Sequence, residues 1–216
     1  KKFSNKTALD NVSFAIQPGR IIGLLGPNGS GKSTSIKMIN GLLQPDSGQV
    51  LIKGNTPSIE SKKIISYLPE RTYLNDWMTV SQILSFFEDF YEDFDSNRAK
   101  EMLTSLGIDE NAKLKTLSKG TKEKVQLILV MSRKAELYVL DEPIGGVDPA
   151  ARDYILSTII QNYSESSSIL ISTHLIQDVE KILDDVILIN NGQIYMTGSV
   201  DDIRSENGIS IDNLFR

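Results

Sequence analysis

The sequence predicts an α/β fold: a sheet of mainly parallel strands flanked by helices, with an all-helical stretch inserted near the middle. Three observations lead there. Short apolar runs at residues 21–25, 64–68, 137–140, 169–172 and 186–189 are each cut off by a polar or turn-forming residue, as in strands buried on both faces. Segments of helical period alternate with them, the order that builds parallel βαβ units. From Val80 to about Val130 the apolar positions recur every three or four residues, and no strand pattern is present.

Taken in order, the chain opens with Phe3 alone among polar residues. Val12, Phe14 and Ile16 alternate with small or polar neighbours and run into Pro18-Gly19, which reads as a strand and a hairpin-like turn. The next apolar run leads into Gly26-Pro27-Asn28-Gly29-Ser30-Gly31-Lys32-Ser33-Thr34, continued as a helix by Ile36, Met38 and Ile39. This is the spacing G-x-x-x-x-G-K-[ST] of a phosphate-binding loop. Glycines at 26, 29 and 31 open backbone conformations closed to residues with a Cβ, so successive N–H groups can converge on one anion. The helix that follows aims its positive end at the same point. Lys32 is expected to reach the β- and γ-phosphates of a nucleotide, the Ser33 hydroxyl to bind Mg²⁺, and Thr34 to lie near the α-phosphate. A turn without a ligand does not call for Lys followed by Ser.

Gly41 and residues 45–48 mark a turn, and residues 49–53 read as another strand. The run 64–68 stops at Pro69-Glu70, placing Glu70 at the carboxyl end of a strand, where ligand groups gather in parallel sheets. In the helical stretch Phe86, Phe87, Phe90, Tyr91 and Phe94 make one apolar stripe, assigned to core. Glu88, Asp89, Glu92, Asp93 and Asp95 between them read as a solvated face, since the spacing of an oxygen-ligand loop is missing. Gly107 ends one helix, and Ser118 is the expected cap of the next.

The run 137–140 ends in Asp141-Glu142-Pro143, two carboxylates at the end of a buried strand. The first is suited to holding Mg²⁺ and the second to orienting or deprotonating an attacking water. Gly145-Gly146-Val147-Asp148-Pro149 leads into a helix with Pro at its start. The run 169–172 is followed by Thr173 and the single histidine, His174. Its strand is expected to lie parallel to that of Asp141, so the ring is placed to reach the γ-phosphate or hold the water. A helix through Val179 and Ile182 follows, then strands at 186–189 and 194–196 joined by the turn Asn190-Asn191-Gly192.

Composition narrows the classes. The chain has 216 residues, 40% of them hydrophobic, enough for a core, and no cysteine, which excludes disulfides, thiolate metal sites and Cys nucleophiles. A net charge of −5 and a pI near 5.0 argue against a nucleic-acid surface and give no long-range attraction to anionic lipid. No apolar run approaches the roughly 18 residues that span a bilayer, and no secretory leader is visible. The expectation is a cytoplasmic protein that meets a membrane only through a protein partner.

On these motifs the chain resembles the nucleotide-binding subunits of ATP-binding cassette (ABC) transporters over essentially its whole length. The Walker A loop 26–34, the Walker B strand ending in Asp141-Glu142, the signature-like Leu117-Ser118-Lys119-Gly120-Thr121, the D-loop around Asp148 and the switch His174 all have counterparts. The resemblance implies a single P-loop NTPase domain over 1–216: a RecA-like core, an antiparallel β subdomain and a helical subdomain inserted at about 78–132. It implies ATP and Mg²⁺ as cofactors, with Phe3 stacked on adenine, Asn28, Gly29, Gly31, Lys32, Ser33 and Thr34 about the phosphates, and Ser33, Glu70 and Asp141 toward the metal. Glu142 and His174 take the catalytic roles. Two partners are implied. One is a second nucleotide-binding subunit, identical or related, so that Ser118, Lys119, Gly120 and Asp148 of one subunit close on the ATP of the other. The other is a transmembrane permease, met beside Tyr73, Leu74 and Trp77, which places the chain at the cytoplasmic face of the membrane.

Three positions depart from the family pattern. Glu70 stands where Gln is usual, Lys119 where Gly is usual, and Thr121 where Gln is usual. With residues 145–152, these variants resemble bacterial exporters of antimicrobial or amphipathic peptides, including phenol-soluble modulin exporters. A soluble ABC regulator without a permease is the alternative, although the translation-factor type carries two cassettes in one chain and a basic face. A GTPase would need an acid that Asn5-Lys6-Thr7-Ala8 lacks, and a small-molecule kinase would leave the signature segment and Asp148 without a purpose.

Overall fold

The computed structural model describes residues 1–215. A two-stranded antiparallel ribbon, β1 (Lys2–Phe3) and β2 (Lys6–Thr7), precedes the main sheet. The elements that follow are β3 (Ile21–Leu25), α1 (Lys32–Ile39), α2 (Ile59–Ile64) and β4 (Ile65–Leu68). Next come α3 (Val80–Phe90), α4 (Ser96–Ser105), α5 (Lys119–Met131), β5 (Leu137–Asp141), α6 (Pro149–Asn162) and β6 (Ser168–Thr173). The chain then forms α7 (Ile176–Val179), β7 (Asp185–Asn190), β8 (Gln193–Ser199), α8 (Val200–Asn207) and α9 (Ile211–Phe215).

The six-stranded sheet has the order β4-β5-β6-β3-β7-β8, parallel throughout except for β8. That exception follows from the turn at Asn191 and Gly192, both at positive φ (47 and 75), which folds β8 straight back onto β7. Residues of the buried strands alternate between two apolar clusters. Tyr138, Leu140, Ile169, Ile171 and Leu188 face one side, while Val139, Leu170, Ile187 and Ile189 face the other. Because the strands are parallel, Leu25, Asp141 and Thr173 end at the same edge, with Leu25 beside Thr173 and Asp141 beside Ser172.

The helices α3 to α5 gather a third apolar cluster of their own around Val80, Leu84, Phe87, Leu103 and Leu114. α5 serves both sides: Val125, Ile128 and Leu129 face this cluster, and Leu127, Val130 and Met131 face the sheet. The capping expected from sequence is present, with Ser118 Oγ accepting from Thr121 N at 3.1 Å and Gly107 at φ 63 beyond the end of α4.

Several expected elements differ. Residues 12–16 form no ladder: Val12, Phe14 and Ile16 are half-buried against the core and Ser13 and Ala15 are exposed, so the alternation is one of burial with no neighbouring strand to pair with. Residues 49–53 reduce to one bridge, Ile52 to Asn55, because Lys53 and Gly54 (φ 51 and 79) turn the chain at once. Among the described residues, antiparallel pairing is therefore confined to β1 with β2 and β7 with β8, apart from isolated bridges. The aromatic stripe divides as well: Phe87 and Phe94 are buried, while Phe86 and Phe90 are exposed and stack on each other at 5.4 Å. Asp93 and Asp95 are half-buried and structural, Asp93 pairing with Arg133 at 2.9 Å and Asp95 capping α4 through Arg98 N at 3.1 Å. Among the described residues no helix is long and apolar enough to cross a membrane, and no group of acids and histidine is placed to hold a metal by itself.

Candidate active site

The site forms where β3, β5 and β6 end side by side. Gly31 caps α1 at φ 114 with no side-chain partner for the first-turn N–H groups, which leaves them directed at the loop. A Cβ at Gly31 would stand 2.6 Å from Leu9 Cδ2 and 2.8 Å from the Ala8 carbonyl, so only glycine fits. Gly29, at φ 81, has nothing within 4 Å of where a Cβ would lie, and Asn28 beside it is exposed. The loop is thus packed tightly from below and open above. Ser30 Oγ is buried in it without a hydrogen-bond partner, an unspent hydroxyl that sequence reasoning had given no role.

Lys32 is only 5% exposed. Its ammonium donates to the carbonyls of Gly26 (2.8 Å) and Pro27 (3.2 Å) and lies 3.3 Å from Glu142 Oε1. Ser33 Oγ donates to Asp141 Oδ1 at 3.3 Å, and Ser172 Oγ donates to the same oxygen. Thr34 is half-buried in the first turn of α1. Burial pushes the Asp141 carboxyl above its ordinary pKa; hydrogen bonds from Ser172 and Ser33 pull it back, and the charges of Glu142 and Glu70 push it further up.

Glu142 has φ 50, a left-handed conformation that strains a residue with a Cβ. The surroundings hold it there. Its N–H donates to the Ser172 carbonyl at 2.9 Å, and its carbonyl accepts from Gly145 N at 3.0 Å. Thr173 Oγ1 donates to Oε2 at 3.0 Å, and His174 Nδ1 lies 3.1 Å from the same oxygen. His174 is partly exposed, with its ring at the mouth of the site. Glu70 is exposed just past β4, and its charge, after burial and the charge of Asp141, helps push the Tyr67 hydroxyl up to about 12.

The structure therefore brings together Lys32, Ser33, Asp141, Glu142 and His174 through a connected set of contacts. It does not bring the signature segment to them. Ser118 bonds Thr121, and Lys119 reaches Glu123 at 3.8 Å; both are exposed, and neither is bonded to residues 26–34. Gly120 is half-buried in the first turn of α5, and Asp148 is exposed just before α6. Phe3 is exposed in β1 with the Lys1 ammonium 5.5 Å over its ring. Sequence reasoning missed Ser172 and Thr173, which hold the two carboxylates; their signal was a pair of hydroxyls closing an apolar strand. It also missed Gln126, buried on α5, which accepts from Tyr73 N at 3.2 Å and donates to the Pro69 carbonyl at 3.4 Å.

Comparison with known proteins agrees with this geometry. A family model described as ABC transporter matches residues 9–145. The linearmycin resistance ATP-binding protein LnrL of Bacillus subtilis is 32% identical over 216 residues, covering 96% of this chain and 70% of that protein. The SkfA peptide export ATP-binding protein SkfE of the same organism is 32% identical over 200 residues, covering 90% of this chain and 84% of that protein. A solved ATP-binding subunit of an ABC transporter superposes with a TM-score of 0.88 at 29% identity, covering 99% of this chain and 93% of the other. With a phosphate-binding loop facing paired carboxylates on a sheet of this topology, the chain belongs to the ABC transporter family, as an ATP-binding subunit whose activity is ATP hydrolysis.

Proposed function

We propose that this chain drives a membrane exporter by closing with a second nucleotide-binding subunit around ATP, residues 1–216 acting as one domain with a helical subdomain inserted at about 78–132. The observation that carries the reading is the convergence of Lys32 and Ser33 with Asp141, Glu142 and His174 at one sheet edge. Asn28, Gly29, Gly31 and Thr34 complete the phosphate cradle, and Phe3 is the adenine platform.

The donor set fits Mg²⁺: the Ser33 hydroxyl and the Asp141 carboxylate are hard oxygens sharing one site, with Glu70 near them. When bound, the ion neutralises charge on the β- and γ-phosphoryl oxygens. Lys32 supplies a cation to the same oxygens. Glu142, aimed by Thr173 and His174, takes the proton of the attacking water. Ser118, Lys119 and Gly120, with Asp148, are presented outward at the starts of α5 and α6, which suits them to a phosphate held by the other subunit. The variant Lys119 adds a positive charge there.

A permease is the proposed second partner, contacted at the cytoplasmic face of the membrane. A groove of about 440 Å³ between the helical segment and the core is lined by Tyr67, Tyr73, Phe86, Phe90 and Tyr91. Tyr73 and Trp77 are exposed beside the loop after Glu70, while Leu74 is buried in the helical cluster. Exposed aromatics in a concave, mainly apolar groove suit a helix of another protein. The names of LnrL and SkfE concern linearmycin resistance and peptide export, and they support an antimicrobial or a peptide as cargo.

Calorimetry with Mg-ATP tests the nucleotide reading. Binding heat in the parent chain and its loss in Lys32→Ala is the expected result; equal heat in both would overturn it.

A further inference from the structure

Glu142 and His174 sit on two segments that are joined a second time, away from the pair itself. Residues 142–152 run from the end of β5 through the loop 145–148 into the first turn of α6, and residues 174–178 run from the end of β6 into α7. At one end Glu142 Oε2 lies 3.1 Å from His174 Nδ1. At the other, Arg152 Nη1 donates to Asp178 Oδ2 at 2.8 Å. The same guanidinium donates from Nε to the Val147 carbonyl at 3.2 Å, and the Arg152 N–H donates to the Asp148 carbonyl at 3.0 Å. Two segments linked at both ends make a closed frame.

We infer that Arg152 is a positioning residue: through Asp178 it holds His174 against Glu142, and through Val147 it makes that placement respond to whatever packs on residues 145–148. This rests on the reading that a second subunit closes over this face. Arginine suits the task because its planar fork serves a carboxylate and a carbonyl at once, which the point charge of lysine does not. The pair adds little to stability, since its side chains are 28% and 36% exposed. Its loss should therefore act on turnover and leave the fold intact.

The test compares Arg152→Met, Asp178→Asn, their double variant and the charge swap R152D/D178R. Each single is expected to lower kcat about tenfold with KM for Mg-ATP within about twofold of the parent. The double should be no worse than either single, and the swap should recover much of the loss. The unfolding midpoint should stay at the parental value. Parental kcat in both singles, additive losses in the double, or a loss that tracks a lowered midpoint would each overturn the assignment. ATP-dependent dimerisation, read in parallel by light scattering, reports on the underlying reading. Parental dimerisation with parental kcat removes the role of Arg152 alone, while parental dimerisation with lowered kcat supports it.

Discussion

At the scale of single residues, the site is built from groups held away from their relaxed states. Glu142 has positive φ, and its carboxylate is shared among Lys32, Thr173 and His174. Glu142→Gln keeps the shape but removes charge and basicity, so it should leave Mg-ATP binding within a few-fold while slowing hydrolysis by about 100-fold or more, measured as steady-state phosphate release. Asp141 illustrates the opposite balance of stability and function. Burial raises its pKa in the fold, so at neutral pH its charged form costs the native state free energy that a neutral isostere does not. Asn can still accept from Ser33 and Ser172. Asp141→Asn is therefore expected to raise the unfolding midpoint in metal-free buffer by a few degrees while abolishing Mg²⁺-dependent turnover. The sign is specific: the gain should be present at pH 7 and shrink as pH falls toward the raised pKa, where native Asp141 becomes protonated. A lowered midpoint at pH 7 would contradict the burial argument.

At the scale of elements, a buried arginine adds polar ties to the apolar packing that joins the helical segment to the sheet. Arg133, 3% exposed, pairs with Asp93 and donates to the carbonyls of Ile65 at 2.7 Å and Lys63 at 2.6 Å, while its guanidinium lies 4.0 Å over the Tyr91 ring. Removing the charge strands Asp93 and leaves two carbonyls unpaired, so Arg133→Met should cost about 3–5 kcal/mol in chemical denaturation. The helical segment should then become the first part cleaved in limited proteolysis. α5 carries a smaller test. Ser118 caps it, and Ser118→Ala should lower stability by about 1 kcal/mol in the same measurement. If Ser118 also meets a phosphate across a dimer, ATP-driven association should weaken by more than the cap accounts for. Among elements, long periodic segments and apolar strand runs were legible in the sequence, because burial on both faces forces an unbroken apolar run. The strands expected at 12–16 and 49–53 were not found, because alternation records which side chains are buried and carries no information on whether a second strand lies alongside.

For the whole molecule, among the described residues the signature segment and the phosphate loop are not bonded to each other, and on the proposed reading a second subunit completes the site. In Glu142→Gln, Mg-ATP should double the mass on gel filtration, and chelating the metal should return it to the monomer; a monomer throughout would sink the dimer reading. By itself the sequence determined the ligand class, because spacing such as that of residues 26–34 fixes local backbone and charge within a few consecutive residues. It likewise placed carboxylates and histidine at strand ends. Only the tertiary structure decided that Ser172 and Thr173 hold those carboxylates, that Phe86 and Phe90 face a groove while Phe87 faces the core, and that Arg133 and Arg152 tie distant segments together. The reason is physical: such contacts join residues far apart in the chain, and their existence depends on strand order and packing, which no local pattern of residues encodes.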